Sequence, residues 1–590
     1  MADLSRKPAK KTSMADAPEY PTTTTPDAMG HTVPSDIQMP AHSAVHGKVP
    51  RGLMYVPHSA LYQGRFGRMF RKLAPLSTWT DQEYQQLADT MRDGDPVGTD
   101  GDNPHLPAGY TYLGQFIDHD ITFDPNSKLQ QDNDPNALQN FRTPRYDLDS
   151  IYGGGPADNP FMYQIDGMRL VVGTHPDGSP DCPRVPSLAD MNGSSVLRAV
   201  IGDPRNDENI IVNQLHLAFI SYHNAVVDEL VKQHNNGTPL TAAEIMHPED
   251  PSRQPELDAD TRGQIFDEAR RITRWHYQWV VVHDFLERIV GKGVVDDLMQ
   301  GEEYTILSSA NGGGPQFTTA NTRKILLKFF DWKHDPYIPV EFSVAAYRFG
   351  HSMVRVTYRI NEEIERRGGP PDIVIFHGPD DDNIRTLLGV SALNPFSMEG
   401  FNERPRFWEI EWDHFFDFGN DTPRLQASRR IDTRLATGLH TLPKSVTEGI
   451  ASLATRNLLR GQALGLPSGQ TVARAMGIPE ALILDESHLS DLPDGLRQKV
   501  GTEAPLWYYI LREAEEFTEG TMLGPVGGRI VAEVFLGLLK GDPGSAYNIS
   551  PGWEPTPGQF GAVSGTDNVQ FGMPELLTFA GVKLTATPQP

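Results

Sequence analysis

Apolar residues recur at helical spacing along seven segments: Asp81 to Arg92, Ile210 to Gln233, Asp260 to Ile289, Val340 to His351, Glu448 to Arg460, Pro505 to Glu516 and Gly528 to Leu539. Loops rich in Pro, Gly and Asp separate them, so the pattern predicts helices with long connections. Strand-like runs are sparse; Met168 to Val172 and Asp372 to Phe376 stand alone, too isolated to build an α/β sheet. The expected fold is therefore mainly α, one large helical domain with little β structure. No internal repeat recurs, which argues against a solenoid. Residues 1 to 50 carry no sustained period and are rich in Pro, Thr, Ala and Asp, with the run Thr22 to Thr25. They predict a disordered or wrapping N-terminal arm ahead of a domain over 51–590.

Composition narrows the classes. With 52 Lys+Arg against 77 Asp+Glu the net charge is −25, and such a surface repels nucleic acid and anionic membranes. One cysteine, Cys182, excludes a disulfide scaffold, a Cys-rich zinc site and an iron–sulfur cluster, and leaves at most one intermolecular disulfide per chain. No run reaches the ~18–20 apolar residues of a membrane helix; those around Trp279 to Val282 and Val531 to Leu539 are short or interrupted. The early basic residues Arg6, Lys7, Lys10 and Lys11 lead into Pro, Thr and Asp rather than an apolar signal region. The expectation is a protein with no membrane span, cytoplasmic or exported without a conventional signal peptide.

Five segments carry candidate chemistry. In Gly114-Gln115-Phe116-Ile117-Asp118-His119-Asp120, a helix would place Gln115, Asp118 and His119 at i, i+3 and i+4 on one face, an amide, a carboxylate and an imidazole together. Read alone, this is a polar helix end. In Arg142 to Ser150, oxygen-bearing Thr143, Asp147 and Asp149 alternate, with the Arg145 carbonyl able to point the same way; this is a hard-cation pattern of calcium type that Asp120 could complete. Its plainer reading is a solvated acidic loop. Gly202 to Asn209 brings Arg205 and Glu208 to a helix entrance, otherwise an ordinary capped ion pair. Ala346 to Ser352 sets Gly350 before His351, where a flat group can approach closely, or else His351 is a core histidine. Leu453 to Gly461 by itself is a helix and its stop signal.

In this order the five segments resemble the animal-type haem peroxidases of the peroxidase–cyclooxygenase superfamily, over about residues 105 to 540. The most specific parts are Gln-x-x-Asp-His-Asp at Gln115 to Asp120, Thr-x-x-x-Asp-x-Asp before Ile151-Tyr152-Gly153, Arg-x-x-Glu at Arg205 to Glu208, and Arg-x-Gly-His at Arg348 to His351.

The resemblance implies an enzyme, a haem-dependent peroxidase. It would reduce hydrogen peroxide through a two-electron oxidised haem intermediate and oxidise a small donor, halide, pseudohalide or aromatic. His119 would be the distal base and Arg205 the distal cation, with Gln115 in the same catalytic group. His351 would be the proximal iron ligand, Asn457 the amide accepting its imidazole N–H, and Arg348 and Arg460 neighbours of the haem propionates. Asp118 and Glu208 stand where the family forms ester links to a haem b-derived cofactor; Asn209 replaces the Met of a third, sulfonium link, so that link is not expected. Calcium ligands would be Asp120, Thr143, Arg145 through its carbonyl, Asp147 and Asp149, the last in place of the usual Ser. The superfamily's fatty-acid dioxygenases and cyclooxygenases carry a Tyr three residues before the proximal His. Here that position is Arg348, and Tyr347 lies one place further, about 100° around a helix. This favours a peroxidase over an oxygenase. A non-catalytic haem- and calcium-binding protein is the remaining alternative, and the presence of both His119 and Arg205 argues against it.

Overall fold

The computed structural model divides into two units, 1–49 and 50–590. It describes residues 64–94, 101–123, 139–175, 177–186, 197–308, 316–332, 335–367, 371–375, 398, 400, 408–419, 424–442, 449–565 and 569–585. In the first unit it describes the antiparallel strand pair Thr24–Pro26 and Thr32–Pro34. The expected N-terminal arm otherwise lies outside the described residues.

The second unit is mainly helical. Seven of its helices organise the site: α1 (Asp81–Thr90), α2 (Gly109–Ile121), α3 (Ile210–His234), α4 (Ala259–Trp279), α5 (Leu453–Ala463), α6 (Leu506–Thr518) and α7 (Pro525–Gly541). Local chemistry sets their ends. Thr80 and Glu83 form a reciprocal capping box on α1, Asn209 Oδ1 accepts from the N–H groups of Ile211 and Val212 to start α3, and Ser452 caps α5. α3 is buried along most of its length, including Ile211, Leu215, Phe219, Tyr222 and Val226. A helix apolar nearly all round belongs in a core, and α3 packs against α2 and α4. α4 runs on through a π turn at Val280–Leu286 into Glu287–Val290, which accounts for the long period predicted to Ile289.

Three sequence expectations need correction. Val340 to His351 is not an α-helix but a π turn, Glu341–Ala345, followed by a 3₁₀ segment, Ala346–His351. The buried Glu341 carboxylate accepts the N–H groups of Met69 and Phe70, both at 3.0 Å, and ties the turn to a distant segment. Met168 to Val172 forms no strand; Leu170 makes an isolated bridge to Tyr163, and the adjacent Gly173–Thr174 pairs with Pro180–Asp181. Near the second strand signal, Ile373–Val374 does pair with Thr357–Tyr358. A long hairpin, β1 (Met299–Ser308) with β2 (Gln316–Ile325), was not expected. The remaining described sheets have two or three short strands. No helix among the described residues is long and apolar enough to cross a membrane. Cys182 is buried with the Asn213 amide 3.4 Å from its sulfur, so the thiol does not stand at the surface for an intermolecular bond.

Candidate active site

α2 presents the predicted face. Leu113, Phe116 and Ile117 are fully buried and anchor the helix, while Gln115 and Asp118 stay half-buried and His119 is 5% exposed. The Asp118 carboxylate accepts from the Thr122 hydroxyl at 2.8 Å. Burial pushes its pKa up, and the Arg205 guanidinium offsets part of that. Burial and then Arg205 push His119 the other way, to about 3, so its imidazole is neutral. Its Nδ1 lies 2.8 Å from the Asn206 amide oxygen. Gln115 accepts from the Asn209 amide at 3.2 Å, joining α2 to the entrance of α3.

Arg205 sits in a 3₁₀ turn, Pro204–Asp207. Its Nη2 donates to the carbonyls of His119 (2.9 Å) and Thr122 (2.6 Å) and to Asp203 (2.8 Å), and its guanidinium lies 4.5 Å from the centroid of Phe123. Asp203 was not singled out by the sequence, yet it holds the group together. It is fully buried and also receives Arg142 Nε at 2.9 Å. Burial alone would raise its pKa; Arg142 and Arg205 overcome that and hold the carboxyl well below the usual range. Glu208, half-buried at the end of this turn, accepts the Gly400 N–H at its backbone carbonyl.

The expected cation loop lies against the same structure. Carboxylate oxygens of Asp120, Asp147 and Asp149 fall within 4.8 Å of one another. Leu148 takes a left-handed φ of 56°, and its N–H lies 3.3 Å from Asp120. Holding a non-glycine residue there costs on the order of 1–3 kcal/mol, which the surrounding structure must offset. Thr143 donates to Asp147 at 2.8 Å. The Arg145 side chain turns instead to Asp542, 3.9 Å away, leaving its carbonyl as the part able to serve a cation. Burial raises all three carboxyls: Asp120 far above its ordinary range with Asp147 and Asp149 adding repulsion, Asp147 likewise upward, and Asp149 to about 7 despite Arg142. One buried and two half-buried carboxylates this close resist ionising together unaided. Their oxygen set and charge fit a calcium-type ion. Gly202 ties this loop to the Arg205 turn: a Cβ there would stand 2.5 Å from the Ser150 carbonyl oxygen, so no other residue fits.

His351 ends the 3₁₀ segment. Its Nδ1 lies 2.8 Å from the amide of Asn457, a buried residue of α5, with the amide nitrogen nearer. Turning that amide over presents its oxygen, so that Nδ1–H donates and Nε2 keeps its lone pair for a metal. Burial, then Arg348, lowers the His351 pKa to about 3, as a neutral ligand requires. Arg348 is close enough to bear electrostatically on both His351 and Asp118. Its Nε donates to the Ser343 carbonyl. Half-buried Arg460 lies one turn beyond Asn457 on α5, close enough to Arg456 to lower that residue's pKa after burial. The Tyr347 hydroxyl donates to the Gly114 carbonyl of α2 at 3.0 Å, binding the two histidine-bearing segments directly. A Cβ built on Gly350 would meet no atom within 4 Å. Neutral His351, open Gly350 and Arg348, with the half-buried Asp118 carboxyl nearby, suit an iron porphyrin with acidic propionates.

The mainly helical domain, which packs the His119 helix against the His351 segment, has the peroxidase–cyclooxygenase fold. The solved structure of peroxidase A from Dictyostelium discoideum shares that fold, with a TM-score of 0.53 at 16% identity over 83% of this chain and 89% of that one. The family described as animal haem peroxidase matches residues 127–543, and the chain belongs to that family. The match begins after the α2 motif, so the role of His119 rests on its own geometry. Among relatives, a peroxidase-like protein of Margaritifera margaritifera is 25% identical over 65% of this chain and 42% of its own length. Chorion peroxidase of Drosophila melanogaster is 24% identical over 53% of this chain and 32% of its own. The chain thus spans less than half of either relative.

Proposed function

We propose that this chain is a haem-dependent peroxidase that reduces hydrogen peroxide at the expense of a small electron donor, a halide, a pseudohalide or an aromatic. The observation that carries this reading is the 2.8 Å pairing of His351 with Asn457 beside a helix whose own histidine is neutral and hydrogen-bonded. Haem ligated by His351 supplies the two-electron reduction of peroxide. Asn457 orients the imidazole of His351 and, being uncharged, increases its donor strength less than a carboxylate would. Neutral His119 takes the proton from one peroxide oxygen and returns it to the other through the same nitrogen. Arg205, held by Asp203, lends positive charge as the oxygens separate. Gln115 and Asn209 hold the helix entrance beside them.

Asp118 and Glu208 are proposed as the ester-forming carboxylates, and Arg348 and Arg460 as propionate partners. Calcium at Asp120, Asp147 and Asp149, with Thr143 and the Arg145 carbonyl, neutralises the cluster and braces the end of α2. Tyr347, with its hydroxyl engaged by the Gly114 carbonyl, disfavours the oxygenase reading.

Stopped-flow reaction with peroxide tests the assignment. His119→Ala should keep its haem and react ~10²- to 10⁴-fold more slowly; a wild-type rate would remove His119 from catalysis. Acid–solvent extraction after peroxide treatment should leave haem on the polypeptide, and haem that washes out would rule out the esters.

A further inference from the structure

Behind His119 stands a run of three buried polar side chains. His119 Nδ1 lies 2.8 Å from Asn206 Oδ1, and Asn206 Nδ2 lies 3.0 Å from His216 Nδ1, with His216 on α3. Asn206 and His216 have no solvent exposure. An amide oxygen accepts and an amide nitrogen donates. With the amide facing this way, His119 carries its proton on Nδ1 and keeps the Nε2 pair free, while His216 accepts at Nδ1 and carries its proton on Nε2. Turning the amide over would keep both bonds and exchange the tautomer of each ring, so the facing of Asn206 and the tautomer of His119 are a single choice.

His216 is an expensive way to fill this space. Its Nε2 is buried with no hydrogen-bond partner, and Phe116 packs near it at a ring separation of 6.4 Å. An unsatisfied buried donor costs about 1–3 kcal/mol, so an apolar residue of similar size would suit the core better. What the imidazole does provide is an acceptor at Nδ1. Burial lowers its pKa to about 3 and keeps that acceptor available.

We propose that Asn206 and His216 are positioning residues that hold His119 in its Nδ1–H tautomer, leaving Nε2 as the basic atom. The proposal rests on His119 being the distal base and adds how its basic nitrogen is chosen. Asn206 touches the imidazole; His216, as the tautomer with its proton on Nε2, acts through Asn206 by accepting from the amide nitrogen, which leaves the amide oxygen to face His119.

The test is nitrogen NMR of ¹⁵N-histidine-labelled holoprotein in the diamagnetic ferrous carbonyl state, paired with the rate of reaction of the ferric protein with peroxide. Wild type should show His119 protonated at Nδ1. Asn206→Leu and His216→Leu should populate the Nε2–H form and slow the reaction between about 10- and 100-fold. His216→Gln restores an acceptor and should recover the wild-type tautomer and a rate within about twofold, a rescue that core filling alone would not give. Nε2–H in the wild type, or an unchanged tautomer in His216→Leu, would overturn the proposal. Should Asn206→Leu fail to fold, the two His216 variants decide it. A wild-type rate for His119→Ala would instead sink the distal-base reading, whatever the nitrogen spectrum shows.

Discussion

The two sides of the candidate haem site are built by different physics. On the α2 side, position is set by charge: Asp203 holds Arg142 and Arg205, Arg142 stands 3.4 Å from Asp149, and Asp149 belongs to the three-carboxylate cluster. On the His351 side, position is set by packing. The 3₁₀ segment lies against α6 and α7, Phe342 stacks on Tyr347 at 4.8 Å, Tyr347 meets Phe535 at 5.3 Å, and His351 makes one hydrogen bond to α5. The contrast predicts which side each perturbation should reach. Chelators and lost charges should act on the reaction with peroxide, whereas the iron ligand should answer to changes in its own side chain.

The largest effect should come from the packed side. His351→Ala removes the proposed iron ligand without touching the ionic network, so the iron spectrum should lose its proximal imidazole signature while the protein stays folded. A spectrum identical to wild type would exclude His351 as the ligand. The counterpart on the charged side is Asp203→Ala, which strands Arg142 and Arg205 where their carboxylate was. Breaking a buried ion pair from one side typically costs about 3–5 kcal/mol. Denaturant unfolding should register that loss, and a loss below about 1 kcal/mol would mean that Asp203 does not organise the two arginines.

Removing the proposed calcium ion is a gentler way to break the same side. Chelation, or Asp147→Ala, should slow the peroxide reaction by about tenfold, the size seen when an outer support of a reactive group is lost, and leave the His351–iron spectrum in place. Unchanged metal content in Asp147→Ala would take Asp147 out of the cation site. Equal loss of the peroxide reaction and of the His351 spectrum would contradict a charged side and a packed side that act separately.

Part of this design was legible in the sequence because it is local. The i, i+3, i+4 spacing of Gln115, Asp118 and His119 set one face of α2, and the alternation of Thr143, Asp147 and Asp149 anticipated their convergence. Arg142, Asp203, Asn206 and His216 were missed because their meaning lies in pairings across the chain. Arg142 and Asp203 are 61 residues apart, and His119 and Asn206 are 87 apart. Only Asn206, inside the Arg-x-x-Glu motif, offered a signal, as an amide beside the candidate cation. The helix predicted over Val340 to His351 failed for a related reason: Glu341 is drawn to Met69 and Phe70, 272 and 271 residues away, a bond no local period encodes. The β1–β2 hairpin was missed because its residues, such as Gln316, Thr318, Thr319 and Asn321, are too polar to show strong alternation.

The smallest effect should separate the two sides by pH. Glu513 on α6 is a buried carboxyl of the packed side, accepting the Val526 N–H at 2.9 Å and the Gly527 N–H at 2.7 Å where α7 begins. Burial raises its pKa to about 8 in spite of those bonds. A folded pKa above the unfolded one means that the folded state binds the extra proton. Its contribution to stability is therefore fully present below the unfolded value of about 4.3 and is lost as pH rises through about 8. Glu513→Gln keeps an acceptor for both N–H groups and has no proton to lose. Its stability relative to wild type should rise between pH 5 and pH 9 by on the order of a few kcal/mol, because each pKa unit is worth about 1.4 kcal/mol. Urea midpoints at the two pH values measure this. A constant difference between variant and wild type would show that Glu513 is already ionised in the fold, and the packed side would then contain a charge that α7 stabilises with its N-terminal N–H groups.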